Sequence, residues 1–266
     1  MPLTLTPIDH EDLCHGWRWE IADETDLARK VAMVALGQYR HVAQILAGVD
    51  KKPMPTRSEA AAAAIERLTV PAGQDAWHRD GWVFQTISWI AALRSEVGVV
   101  ARAPHAIPAH KGFDGMQLRL DTKGKSVTAI VIFEDKATDS PRATVREDVW
   151  GGVKALERGE RMPELIQETT TILEAQQRHF PDLEVDEAIE TILWDEVRHY
   201  RVSISTSDTH AKDKARKRLF RGFDLVAPGD PKRRRADTMH FDDLRSWMNT
   251  FCAQARAELK AWGDDV

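Results

Sequence analysis

Residues 128–136 read TAIVIFEDK, an almost unbroken apolar run that ends in Glu134, Asp135 and Lys136. The run reads as a strand buried in a sheet. A strand that carries two acids and a lysine straight out of a core either ends in solvent or aims those groups at one point. Upstream, GFDG at 112–115 sets Asp114 among glycines.

The segment between them decides how the two acids relate. In DGMQLRL, 114–120, Met116, Leu118 and Leu120 alternate with polar Gln117 and Arg119, as in a half-buried strand. LDTKGKS, 120–126, holds a Lys-Gly pair suited to a hairpin turn. A turn near Gly124 pairs residues whose numbers sum to about 248, which sets Asp114 opposite Glu134. Lys136, two residues on, shares the face of Glu134, and Asp135 points the other way. Asp114, Glu134 and Lys136 are therefore expected to converge, with the backbone carbonyl of Asp135 beside them. Carboxylates about 4 Å apart repel by roughly 4 kcal/mol at an effective dielectric near 20. Lys136 offsets part of that, and a hard divalent cation would offset more. Mg²⁺ takes one or two carboxylates together with waters and substrate phosphates. It can polarise a phosphoryl oxygen. Lys136 would then orient water, act as a base or stabilise growing negative charge.

Asp114, nineteen intervening residues, then Glu134-Asp135-Lys136 resembles the PD-(D/E)XK nuclease superfamily over roughly residues 80–207. The resemblance implies an α/β fold with a restriction-endonuclease-like core, αβββαβ around a mixed central sheet, flanked here by extra N-terminal and C-terminal helices. It implies phosphodiester cleavage of DNA with Mg²⁺ (or Mn²⁺), the ion held by Asp114, Glu134 and the Asp135 carbonyl, with Asp114, Glu134 and Lys136 catalytic. The family often carries a glutamate on its first core helix, where this chain has Gln85. A polar residue on the helix after the lysine matches Arg142 or Arg146, expected to face substrate phosphate. The length and helical N-terminus also resemble the Hachiman effector family of bacterial anti-phage defence, whose members work with a helicase partner. That implies an effector subunit controlled by a partner.

Elsewhere, 21–48 and the alanine-rich 54–68 show helical periodicity, with Thr25 as a cap of the first. Residues 1–75 read as an N-terminal helical region and 76–266 as the nuclease-like domain, with PAGQD, 71–75, as the boundary. GWVFQTISWIAALRSEVG, 81–98, is apolar on nearly every face and should be a buried helix. VGVVARA and HYRVSISTS have strand character, and TDSPRATVREDVWGGVKALERG, VDEAIETILWDEV and 241–262 read as helices. Trp82, Trp89, Trp150, Trp194 and Trp247 sit at apolar helical positions and are assigned to the core, while Trp17 and Trp19 read as an interface anchor.

The net charge is −5, but ten Lys/Arg against three Asp give 211–235 a charge of +7 and leave −12 on the rest. Such a chain is a poor general polyanion binder with one basic segment that can meet phosphates locally. Within it Lys217, Arg218 and Arg221 are candidate nucleic-acid contacts, together with Lys111 and His110 just before GFDG. No apolar run approaches the roughly 20 residues needed to span a bilayer, so no membrane partner is expected. The N-terminus lacks a secretory pattern, and Cys14 and Cys252 read as free thiols in a reducing cytoplasm. The histidines show no zinc spacing with cysteine, and no glycine-rich phosphate loop is present. The reading from a different class is a non-catalytic subunit that binds nucleic acid or protein and keeps the acid–lysine cluster as structure.

Overall fold

The computed structural model describes residues 1–52, 54, 56–95, 100–105, 112–177 and 179–264. Its strands are β1 (Leu3–Asp9), β2 (His15–Ile21), β3 (Val100–Ala101), β4 (Gly115–Leu120), β5 (Val127–Lys136), β6 (Arg198–Thr206) and β7 (Arg234–His240). Among the described residues these seven form one mixed sheet in the order β1-β2-β7-β6-β5-β4-β3. The central strands β2, β7, β6 and β5 are parallel, and β1 at one edge and β4 and β3 at the other are antiparallel to their neighbours.

The hairpin register follows the turn. Gly115 faces Phe133 and Met116 faces Ile132, and the pairing holds to Arg119 opposite Ala129 before a bulge shifts Leu120 onto Val127. Gly124 takes φ 68°, a conformation glycine adopts without cost, and its N–H donates to the Asp121 carbonyl.

Helices cover both faces: α1 (Glu24–Ala35), α2 (Tyr39–Leu46), α3 (Ser58–Arg67), α4 (Trp77–Ser95), α5 (141–157, with a π-helical stretch at Val145–Val149), α6 (Met162–Gln176), α7 (Val185–Ile192), α8 (Asp213–Leu219) and α9 (Leu244–Asp264). On one face, α1, α4 and α9 bury Leu27, Val31, Ile87, Ile90, Met248 and Phe251 with Trp19 and Met239 of the sheet. On the other, α5, α6 and α7 bury Val149, Val153, Leu165 and Ile192 against Ile130, Ile132, Tyr200 and Val202. Alternation along β5 sorts its side chains between these layers: Ile130 and Ile132 face α5 and α6, and Val131 and Phe133 pack with Ala92 of α4. Among the described residues no helix is long and apolar enough to cross a membrane.

Several expectations are corrected. The helical region 1–75 begins with strands β1 and β2, and β2 joins the same sheet through β7. The helix over 21–48 is two helices, broken where Gly37 takes φ 80°. Its cap is Asp23, whose carboxylate accepts from the Asp26 N–H, and not Thr25. Trp19 is a core residue at 1% exposure, and Trp194, assigned to the core, is 67% exposed at the end of α7. The basic run 211–235 is no continuous track: Arg216, Arg233, Arg234 and Arg235 are buried. Arg233 pairs with Glu157, Arg234 donates to the carbonyls of Leu13, Asp12, Ala227 and Gly229, and Arg235 meets Asp237.

Candidate active site

Strand β5 carries its three charged residues past the apolar layer, and alternation sends them to different places. Glu134 lies toward α5, where a Cβ on Gly152 would sit 3.3 Å from its Oε1. Gly152 thus leaves that carboxylate room that a larger residue would take. Asp135 turns to the α4 side, is buried, and accepts from Ser88 Oγ at 2.7 Å. Lys136 returns to the face of Glu134, and its Nζ lies 3.1 Å from Glu134 Oε2 and 3.3 Å from Asp114 Oδ2.

Asp114 stands one residue before β4, in line with the pairing that faces Gly115 with Phe133. Three neighbours fix its carboxylate. Gln85 Nε2 of α4 donates to Oδ1 at 2.7 Å, the Asp135 backbone N–H donates to Oδ2 at 2.8 Å, and Lys136 reaches the same Oδ2. The structure therefore brings Asp114, Glu134 and Lys136 together, with Gln85 as a fourth member.

Burial and charge compete within the cluster. Burial pushes the Glu134 carboxyl up, Lys136 pulls it down, and Asp114 adds to the rise. Burial lowers the Lys136 ammonium, but the charges of Glu134 and Asp114 outweigh it and hold the lysine above its ordinary range. Paired with both carboxylates, Lys136 is a charged donor. Burial lifts Asp135 to about 7 against the opposing field of Arg201.

The donor set suits a hard cation. Two carboxylates converge in a partly desolvated place with a single lysine between them, leaving a net negative charge for an oxygen-loving divalent ion to neutralise. The one grouping of three or more His, Cys, Asp or Glu residues with ligand atoms all within 4.8 Å of one another, among the described residues, is Asp208, His240 and Asp242, and it is exposed.

The expected nucleic-acid contacts fall into different classes. Lys111, with His110, lies outside the described residues. Arg142 Nη1 donates to the carbonyls of Leu219 and Arg221, so it ties α5 to the end of α8. Arg146 is exposed and pairs with its neighbour Glu147. Lys217 pairs with Glu11. Arg218 and Arg221 are exposed and share a hollow of about 240 Å³ with Arg142, Thr209 and His210.

Sequence reasoning left α6 unread, and with it Arg161 and Glu164. Arg161 sits over the Phe113 ring at 4.3 Å, and its pKa is raised chiefly by Glu164, with Glu134 and Asp114 adding to it. The signal was there: MPELIQETTTIL has proline in its first turn, followed by an acid. No protein-family model matches this chain, and neither a curated protein nor a solved structure does.

Proposed function

We propose that this chain is a metal-dependent nuclease that hydrolyses DNA phosphodiester bonds at Asp114, Glu134 and Lys136. One observation carries the reading: two carboxylates, Glu134 near the end of β5 and Asp114 just before the antiparallel β4, meet at one lysine, whose Nζ lies within 3.3 Å of both. The element order supports it, since α4, β3, β4, β5, the helices α5 to α7 and β6 follow the αβββαβ order of a restriction-endonuclease-like core.

Asp114 and Glu134 would hold the ion, Mg²⁺ or Mn²⁺, with Gln85 keeping Asp114 in orientation. Such an ion supplies Lewis acidity to the phosphoryl group. Lys136, protonated, donates to the attacking water or to the phosphoryl oxygen and offsets the charge that grows as the phosphorus adds a fifth oxygen. A preorganised donor of this kind contributes roughly 10²–10³ in rate. Arg218 and Arg221 would meet backbone phosphate away from the cut. A partner such as a helicase would raise cleavage above the level the chain reaches alone.

The test is cleavage of plasmid DNA with Mg²⁺ by the wild type, Glu134→Ala and Lys136→Ala, with circular dichroism on each. The expected result is cleavage by the wild type and its loss, by about 10² or more, in both folded variants. Cleavage that survives both substitutions would sink the assignment.

A second reading has one observation behind it. The place where the nuclease superfamily often has an acid holds Gln85, whose amide already occupies Asp114 Oδ1. A subunit that binds nucleic acid without cutting would keep the cluster as a brace. A wild type that binds a duplex and never cuts it favours that alternative.

A further inference from the structure

Beside the acid–lysine cluster opens a cleft of about 600 Å³, lined by Arg102, His105, Arg161, Glu164, Gln167 and Glu168 among others. Two arginines in it are anchored on the residue that precedes Asp114. Arg102 Nη2 donates to the Phe113 carbonyl at 2.7 Å, and the Arg161 guanidinium lies on the Phe113 ring. Both are close enough to the cluster to feel it: Asp114 acts on Arg102, and Asp114 and Glu134 both act on Arg161.

Each arginine is met by a glutamate from α6. Glu164 takes Arg161 in a two-bond fork, Nε at 2.8 Å and Nη2 at 2.7 Å, and Glu168 pairs with Arg102. The glutamates are four residues apart, so one helix face presents both. Ion pairs at a surface contribute little to stability, commonly under about 1 kcal/mol. Two of them lining a concave place next to a phosphodiesterase centre have a chemical use. The guanidinium fork that fits a carboxylate also fits a phosphate, so exchange of one for the other needs no new geometry.

We infer that Arg102 and Arg161 grip the nucleic-acid backbone phosphate next to the scissile one, and that Glu164 and Glu168 occupy those arginines until a polyanion displaces them. This rests on the nuclease reading for its placement and adds the residues that seat the substrate. Arg142, on the helix after the lysine, has its Nη1 held by two backbone carbonyls and is not part of this clamp. The clamp comes from the next helix and from the segment after β3. The glutamates also set a threshold: a weakly held or short strand cannot replace them, and a strand delivered at high local concentration can.

The test measures binding and not cutting, so it separates from the nuclease assay. Anisotropy of a short fluorescein-labelled DNA duplex is followed in Ca²⁺ across a KCl series for the wild type, Arg161→Ala, Arg161→Lys, the double variant Glu164→Gln with Glu168→Gln, and Arg158→Ala, an exposed arginine nearby that pairs with Glu160. Melting curves accompany each. Arg161→Ala is expected to weaken binding and to reduce the log–log salt slope by about 1. The double glutamine variant is expected to bind several times more tightly, and Arg158→Ala as the wild type does. Should Arg161→Ala fail to fold, Arg161→Lys keeps the charge and loses the fork, and weaker binding at an unchanged slope is the expected result. Wild-type affinity and slope in the folded Arg161 variants, weaker binding by the glutamine variant, or no duplex binding by the wild type at the lowest salt overturns the inference. Loss of cleavage alone in Glu134→Ala, with binding intact, bears on the nuclease reading and leaves this one standing.

Discussion

Gln85 Nε2 donates to Asp114 Oδ1 at 2.7 Å and joins the first long buried helix to the first acid of the candidate metal site. Removing that donor in Gln85→Ala leaves one oxygen of Asp114 without its partner, while the Asp135 N–H and Lys136 still hold the other. Gln85→Glu instead sets a third carboxylate beside two. Without a divalent ion that variant is expected to melt earlier than the wild type. Its half-maximal Mg²⁺ concentration for cleavage is expected to fall, because a third acid binds the cation and is relieved by it. Melting curves with and without Mg²⁺, and a Mg²⁺ titration of cleavage, check both halves.

Behind the cluster, Arg201 and Asp237 pair at 2.7 Å, both wholly buried, and Arg201 lies over the rings of Phe133 and Trp19. Asp237 also accepts from the Trp17 backbone N–H and pairs with Arg235, so one carboxylate locks β2, β6 and β7 together. Arg201→Met should cost about 3 kcal/mol, toward the low end for breaking a buried pair because Arg235 remains. Urea unfolding of the variant against the wild type measures it.

Acid should remove the stability that depends on neutral His199 and His15, both half-buried, and on buried His10. Burial, with Arg119 adding to it, pushes His199 down to about 4 from its ordinary 6.5, and burial also lowers His10 and His15. Between those limits the unfolded chain binds protons that the folded chain refuses. The histidine contribution is therefore fully present above pH 6.5 and falls as pH drops toward 4, by at most roughly 1.4 kcal/mol per pH unit for each histidine, while Asp135, lifted to about 7, acts in the opposite direction. Between pH 6.5 and pH 4 the urea midpoint of the wild type should drop relative to that of His199→Gln. A constant difference between the two would remove His199 from the explanation.

Arg142 and the pair Arg218 and Arg221 line one hollow but should respond differently to substitution. Arg142→Ala removes a guanidinium bonded to two carbonyls and is expected to cost about 1–2 kcal/mol in urea unfolding. The double variant Arg218→Ala with Arg221→Ala should leave unfolding unchanged and lower the log–log salt slope of duplex binding by up to about 2.

The cluster was legible because it depends on one hairpin, and a hairpin's register follows from alternation and a turn glycine. That arithmetic sets Asp114 against Glu134 from the sequence alone. Strand β7 was illegible for a physical reason. Its RRADTMH reads as a charged loop, yet it lies inside the sheet with Arg234 donating to backbone carbonyls and Arg235 paired with Asp237. A buried charge looks like a surface charge until its partner is known, and these partners lie up to 222 residues away. The edge hairpin of β1 and β2 does show alternation, Leu3 and Leu5 with Thr4 and Thr6, and Trp17, Trp19 and Ile21 with Arg18 and Glu20; reading the two tryptophans as an interface anchor hid it. Arg161 and its glutamates were missed with α6, whose residues show only a modest apolar stripe.

The account depends on Asp114 and Glu134 sharing one divalent ion. Titration of Mn²⁺ into the protein, followed by electron paramagnetic resonance of the free ion, tests this without substrate or partner. The wild type should take up one ion that Glu134→Gln binds more than about tenfold more weakly, with folding unchanged. Equal uptake by both proteins would contradict it.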